Sequence, residues 1–274
     1  MSECIKKFYI ENSDLKLVES FDDGLVLKEN SIYEVFRIID GIPLFIEKHY
    51  TRLENSFKLI NKDISMTLEK LKVLVKELCN SNEVYTGNMK LVCNLDGNNN
   101  MFLYFIKHQY PTKENYKKGV STVSFNFNRE NPNAKLVKGN YKKITQQIRD
   151  TKGVYELVLV DDNGSILEGS KSNIFMIQGE TVITSPKEKV LKGITREIIY
   201  ELCKENNITI IEKAINLKDL YKLDAMFISG TSPKVLPISS LDGTKYSTEN
   251  EILKLIVDEY NKKIETYIST YKYE

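Results

Sequence analysis

The stretch that decides the reading of this chain is Leu167-Glu168-Gly169-Ser170-Lys171-Ser172-Asn173-Ile174-Phe175. It sets a carboxylate just ahead of a Gly/Ser-rich turn, and an apolar strand follows. Beyond it comes Leu191-Lys192-Gly193-Ile194-Thr195-Arg196, where a glycine opens a helix. The first free N–H groups of that helix and a threonine hydroxyl point the same way, which suits a phosphate. A third segment, Ser229-Gly230-Thr231-Ser232-Pro233, closes a strand with hydroxyls and backbone N–H groups in a tight turn, a second anion cradle. Each feature alone is commonplace: a helix cap, a turn acceptor, a structural turn. Their order along one chain is what carries information.

Working outward, Val154 to Val160 reads as a buried strand, followed by the turn Asp161-Asp162-Asn163-Gly164. Short strands are expected at Asn173 to Ile177, Thr181 to Thr184, Ile208 to Ile211 and Ala225 to Ser229. Helices are expected from Tyr141 to Thr151, from Gly193 onward and from Asn250 to Ile268. Upstream, Tyr33 to Ile39 and Ile42 to Ile46 form a hairpin about Asp40-Gly41. Glu47 to Ile60 follows as a helix with Tyr50, Leu53, Phe57 and Ile60 on one stripe. Leu68 to Cys79 is a second helix, and Met89 to Asn94 and Met101 to Lys107 are strands. The class is mixed α/β with irregular strand order. The domain expectation is a smaller α/β domain over residues 1–110, a polar link at 111–119, and a larger α/β domain over 120–274.

Composition narrows the function classes. The chain has 274 residues, 41% of them hydrophobic, enough for one large or two modest cores. Thirty-nine basic side chains nearly balance 38 acidic ones, giving a net charge of +1 and no electrostatic case for nucleic acid or membrane. Clusters such as Lys142-Lys143 and Lys187 to Lys192 read as solvated surface. Cys4, Cys79, Cys93 and Cys203 are dispersed, with no CxxC pair, so neither a zinc site nor a disulfide framework is expected. They read as reduced thiols of a cytoplasmic protein. No apolar run approaches the roughly 20 residues that span a bilayer.

The series EGSKSNIF, LKGITRE and FISGTSPKVLPI, at Glu168 to Phe175, Leu191 to Glu197 and Phe227 to Ile238, resembles the signature of the fold-type IV pyridoxal phosphate enzymes. These are the class IV family of branched-chain aminotransferases, D-amino acid aminotransferases and 4-amino-4-deoxychorismate lyase. The resemblance runs from about Ser31 to Ile238. It implies two α/β domains with pyridoxal 5'-phosphate in the cleft between them, a homodimer, and a Schiff-base lysine that later moves the substrate α-proton.

By the same resemblance, Glu168 keeps the pyridine nitrogen protonated so that the ring accepts electrons. Gly193, Ile194 and Thr195 seat the phosphate at a helix N-terminus, Thr231 and Ser232 form the second cradle, and Arg52 in HYTRLENS adds a guanidinium. Leu191 packs on the cofactor ring, and Tyr33, in SIYEVFRIIDG, faces the substrate. Tyr141 is a further candidate for the cofactor's phenolic oxygen. The lysine is Lys135, counted back from Glu156 and Glu168, with Lys138 as the alternative, counted from Asn140-Tyr141. His49 and His108 occupy no family catalytic position.

The chain also departs from the family. Leu27 to Ser31 lacks the usual glycines, and Asn94, Leu95 and Asp96 stand where D-amino acid aminotransferases carry an Arg-x-His pair. The resemblance implies transamination between a small amino acid and a 2-oxo acid. The lyase that releases pyruvate and 4-aminobenzoate, and a degenerate non-catalytic member, are the alternatives.

Overall fold

The computed structural model describes residues 2–28, 31–95, 100–127 and 141–273. The chain divides into two compact units. Residues 2–109 and 264–273 belong to the first; residues 110–127 and 141–263 belong to the second.

The first unit contains strands β1 (Phe8–Glu11), β2 (Asp14–Leu17), β3 (Ile32–Ile39), β4 (Ile42–Pro43), β5 (Gly87–Cys93) and β6 (Met101–Ile106). They form one sheet in the order β2-β1-β6-β5-β3-β4, with antiparallel neighbours throughout. Its helices are α1 (Asp23–Val26), α2 (Ile46–Lys58) and α3 (Leu68–Asn82). Strand β3 alternates strictly, with Ile32, Glu34, Phe36 and Ile38 buried and the intervening residues half-buried. Period-two burial of this kind means one face of the sheet carries the core. On that face, Phe36, Ile38, Leu91, Leu103 and Phe105 meet Leu53 and Phe57 of α2 and Leu71, Leu74, Val75 and Leu78 of α3. Tyr9, Val92, Phe102 and Tyr104 form a smaller cluster with Phe21 and Tyr33.

The second unit opens with α4 (Lys113–Lys118), then β7 (Val120–Asn126), α5 (Tyr141–Lys152), β8 (Glu156–Val160), β9 (Ile166–Gly169), β10 (Asn173–Gln178) and β11 (Thr181–Thr184). It continues with α6 (Ile194–Glu205), β12 (Thr209–Glu212), β13 (Ala225–Gly230), β14 (Lys234–Leu241) and β15 (Thr244–Lys245). Helix α7 (Glu251–Thr270) closes the chain. The sheet runs β12-β11-β10-β13-β14-β7-β8-β9, with β15 added on β14. Parallel pairs (β11·β12, β14·β7, β7·β8) mix with antiparallel ones, the irregular order expected for this class. Ile174, Met176, Met226 and Ile228 enter a core with Val158, Ile166, Leu236 and Ile238. The alternate residues Phe175 and Phe227 stack at 4.9 Å on the other face, and α6 packs against β12 and β13.

Several elements differ from expectation for physical reasons. The stretch 111–119 holds α4, stapled at its start by a reciprocal capping box between Thr112 and Asn115. Tyr116 of α4 packs on the second unit's core and its hydroxyl donates to Pro233 O, so the stretch belongs to that unit rather than forming a bare link. Strand β14 has no counterpart in the sequence expectation, because Pro237 interrupts its apolar run. Strands β1 and β2 are four residues each, too short to show a period. The hairpin's second strand stops at Pro43, since α2 already starts at Ile46.

The four cysteines are unpaired and buried. Burial raises their thiol pKa values, to about 11 for Cys203 and about 12 for Cys79 and Cys93. Among the described residues no cluster of His, Cys, Asp and Glu suits a metal ion, and no helix is long and apolar enough to cross a membrane. At pH 8 the thiolate fraction of those three cysteines is on the order of 0.1% or less, against roughly a quarter for an unperturbed thiol. A disulfide reagent such as dithionitrobenzoate should therefore leave Cys79, Cys93 and Cys203 unmodified in the native protein and titrate all four thiols after unfolding.

Candidate functional site

In the second unit the three segments singled out by sequence are brought to one end of the sheet, two of them tied by hydrogen bonds. Glu168, near the end of β9, is only 3% exposed. Its Oε2 accepts the Leu191 N–H at 3.1 Å and lies 3.5 Å from Asn173 Nδ2. Asn173 Nδ2 also donates to Leu191 O at 2.9 Å. The backbone of Leu191 is thus gripped at its N–H by Glu168 and at its carbonyl by Asn173. Two residues on, Gly193 is the N-cap of α6, and a Cβ there would stand 2.1 Å from Asn173 Oδ1. A side chain at 193 would displace the Asn173 amide that holds Leu191, so glycine lets α6 start close beside Glu168.

No side chain caps α6, and the leading N–H groups at Ile194 and Thr195 form the electropositive end of a 12-residue helix. Ile194 and Thr195 are buried, and Thr195 Oγ1 lies 3.4 Å from Tyr260 Oη. Ser229 pairs with Asn173 across the β10·β13 ladder, so the two side chains share a face. Its Oγ is fully buried with no hydrogen-bond partner among the described residues, a donor awaiting an acceptor. Thr231 and Ser232 lie half-buried in the turn from β13 to β14, where Lys234 takes the left-handed φ of 54°. Arg196, the last residue of the LKGITR motif, is used structurally: its Nη2 donates to Ser185 O at 3.0 Å and Glu212 Oε1 at 3.1 Å.

Tyr141 begins α5, and its hydroxyl donates to Ser170 O at 3.0 Å. That bond is to the protein backbone at the turn following Glu168. Lys171 at the tip of the same turn sits over the Tyr155 ring, its Nζ 5.4 Å from the ring centre. Burial pulls its ammonium pKa down, with Glu156 acting in the opposite sense. Lys135 and Lys138 lie outside the described residues.

In the first unit, Arg52 of α2 is buried and meets Glu34 of β3 with two nitrogens, Nε to Oε1 at 2.8 Å and Nη2 to Oε2 at 2.6 Å. His49, one helical turn earlier, places Nδ1 2.7 Å from Glu34 Oε2. A carboxylate only accepts, so Nδ1 carries the proton. His49 therefore has a structural part that sequence reading does not assign it. The signal was present: Glu34 falls in the inward phase of β3, where an ionised group needs a buried partner. Tyr33 is on the opposite phase and half-buried, with Lys90 Nζ 5.4 Å from its ring centre. Asn94, where an arginine would serve a D-amino acid enzyme, is 5% exposed and accepts from Ser31 Oγ at 2.9 Å.

Residues 31–241 match the family Amino-transferase class IV. The chain belongs to the class IV aminotransferases. It is 29% identical to a putative branched-chain-amino-acid aminotransferase of Methanocaldococcus jannaschii over 92% of both chains. It is also 29% identical to the D-alanine aminotransferase of Bacillus licheniformis, covering 78% of this chain and 80% of that one. Its fold is like that of the branched-chain amino acid aminotransferase of Escherichia coli, with a TM-score of 0.83, 22% identity and 95% of each chain covered.

The chain is thus an enzyme, an aminotransferase that uses pyridoxal 5'-phosphate. The residues present fit that group: an unsatisfied buried hydroxyl at Ser229, a glycine-opened helix N-terminus for a phosphate, and a buried carboxylate beside it.

The Glu34–Arg52–His49 cluster predicts a large stability asymmetry. Glu34→Ala leaves a buried guanidinium without its bidentate carboxylate and should cost about 3–5 kcal/mol in denaturant unfolding. Replacing both partners, as in Glu34→Leu with Arg52→Leu, should cost less than the single change.

Proposed function

We propose that this aminotransferase moves the amino group of a small amino acid to a 2-oxo acid, with Lys135 as the lysine that bonds the cofactor and shuttles the proton, Lys138 being the alternative. When bound, pyridoxal phosphate supplies the electron sink that makes the substrate α-proton removable. The freed lysine amine would take that proton from the substrate Cα and deliver it to C4' of the cofactor. Glu168 holds a proton on the ring nitrogen by offering a charged acceptor in a site shielded from water. Ile194 and Thr195 N–H groups, with the hydroxyls of Thr195, Thr231 and Ser232, bind the phosphate, and Arg52 adds a guanidinium. Leu191 packs on the ring and Tyr33 lines the substrate side.

The observation that carries this reading is the direct bond from Leu191 N–H to Glu168, which puts the carboxylate and the opening of α6 in one hydrogen-bonded unit. A carboxylate for the ring nitrogen and an anion seat for the phosphate are then set at a fixed separation, as a rigid cofactor requires.

The working form is proposed to be a homodimer in the cytoplasm; four unpaired thiols suit a reducing compartment. The substrate is proposed to be an amino acid whose carboxylate is not held by an arginine at position 94, since a buried neutral amide stands there. The lyase alternative differs in stoichiometry, because it releases pyruvate with no oxo acid acceptor.

The purified protein should show a yellow visible band. Borohydride reduction followed by peptide mapping should label Lys135; a label on Lys138 would transfer the role to that residue, and a protein that stays colourless with added pyridoxal phosphate would overturn the reading. Amino acid plus 2-oxoglutarate should give glutamate, with no pyruvate released from aminodeoxychorismate alone. Glu168→Gln should keep the visible band and lose about 100-fold or more in kcat.

A further inference from the structure

Glu156 is the least exposed carboxylate of the second unit, at 0%, and no step above uses it. It opens β8, and its oxygens collect a ring of donors from the turn that follows Glu168. Ser170 Oγ donates to Oε1 at 2.5 Å, Ser172 Oγ to Oε2 at 2.9 Å, and the Lys171 N–H to Oε2 at 3.3 Å. The Leu157 N–H adds a bond to Oε1 at 2.9 Å. The turn is built so closely around this carboxylate that a side chain at Gly169 would push Ser172 off it. A Cβ there would stand 2.0 Å from Ser172 Oγ and 3.2 Å from Glu156 Oε2. The glycine and both serines of EGSKSN are accounted for by Glu156 rather than by any ligand.

The same cluster reaches α5 at two places. Near the helix's end, Arg149, 6% exposed, donates from Nη1 to Ser170 Oγ and lies 3.6 Å from Glu156 Oε1. At its first residue, Tyr141 Oη donates to Ser170 O. Ser170 N–H in turn donates to Leu157 O at 3.0 Å, so every polar group of Ser170 is committed. The chain enters α5 directly from the segment that holds Lys138 and Lys135, three and six residues before Tyr141 in sequence.

We propose that Glu156 is a positioning residue for the transamination: through Ser170 it locks the turn behind Glu168 to both ends of α5, so that the chain entering at Tyr141 is held in register with Glu168. This rests on the functional reading above, in which a lysine just upstream of Tyr141 and the Glu168 carboxylate must address one cofactor at once. A buried acceptor with four donors suits that task, since both its oxygens are satisfied and the turn's donors converge on one group. Loosening it releases Tyr141 and Arg149 from the turn behind Glu168, and small misplacements around a reacting group cost up to about 100-fold in rate.

The test is Glu156→Gln in the full-length holoenzyme, with Glu156→Asp and Ser172→Ala beside it. Gln keeps the shape but turns an amide NH2 toward the hydroxyl and amide donors of the turn. The expected result is a folded protein by circular dichroism that still takes up the cofactor. Its kcat falls about 10- to 100-fold with KM changed less, and the pH midpoint of its visible band shifts. In the cofactor-free protein, amides 141–149 should exchange with deuterium faster than in wild type while β13 stays protected. Glu156→Asp should recover part of the lost kcat. If Glu156→Gln does not fold, Ser172→Ala, which deletes one donor, should show the same changes in weaker form.

A variant that loses thermal stability but keeps the wild-type kcat, band midpoint and exchange at 141–149 overturns the proposal. A wild-type protein with neither visible band nor amino transfer overturns the functional reading and this inference with it, an outcome read before any variant is made.

Discussion

A carboxylate taken out of water must be given donors, and the second unit is arranged around doing that for Glu168. At 3% exposure its oxygens cannot rely on solvent, and the bond it accepts from Leu191 fixes the residue that leads into α6. Asn173 then holds Leu191 from the other side and passes so near Gly193 that a side chain there would displace it. The start of α6, the position of its free amides and the direction of Thr195 all follow from that one buried acceptor. Glu34 and Glu156 repeat the device: the first collects Arg52 and His49 between β3 and α2, the second gathers the turn 170–172 and Arg149. Three carboxylates at near-zero exposure each join elements distant in sequence. The apolar cores bring the layers together without specifying their exact register; satisfied polar clusters do.

Much of this was legible in the chain because the relevant signals are local. The alternation of Ile32 to Ile39, the apolar stripe of α2 and the glycine before Ile194 each fix an element over a few residues. What escaped reading depends on partners far away. Strand β14 is defined by pairing with β13 and β7, and Pro237 masks its pattern. Helix α4 is short and polar, and it exists through its capping box and the seat of Tyr116 on the core. At the site, motif order pointed to Glu168, Gly193 and Thr195. It could not disclose that Asn173 links them, because an asparagine after a Ser-rich turn looks like any turn residue. His49 and Glu34 were readable in phase, fifteen residues apart, yet only the fold shows that β3 and α2 present them to each other. Lys135 against Lys138 is a question of helix register that sequence spacing alone leaves open.

Equal identity to a branched-chain and to a D-alanine aminotransferase carries a lesson about where substrate choice resides. The motifs Glu168 to Phe175, Leu191 to Glu197 and Phe227 to Ile238 belong to the second unit, while HYTRLENS and SIYEVFRIIDG, with Arg52 and Tyr33, belong to the first. The cofactor that the family uses is the same for either substrate. The departures fall in the first unit, at Leu27 to Ser31 and at Asn94. There Ser31 and Asn94 are bonded to each other in a buried pair, which engages the polar side chains of both positions. A charged trap for a substrate carboxylate would need one of them to be a cation facing solvent. In this chain neither position supplies that cation. One cofactor chemistry can be kept while substrate choice differs between relatives, because function resides in particular residues of a site and not in the fold as such.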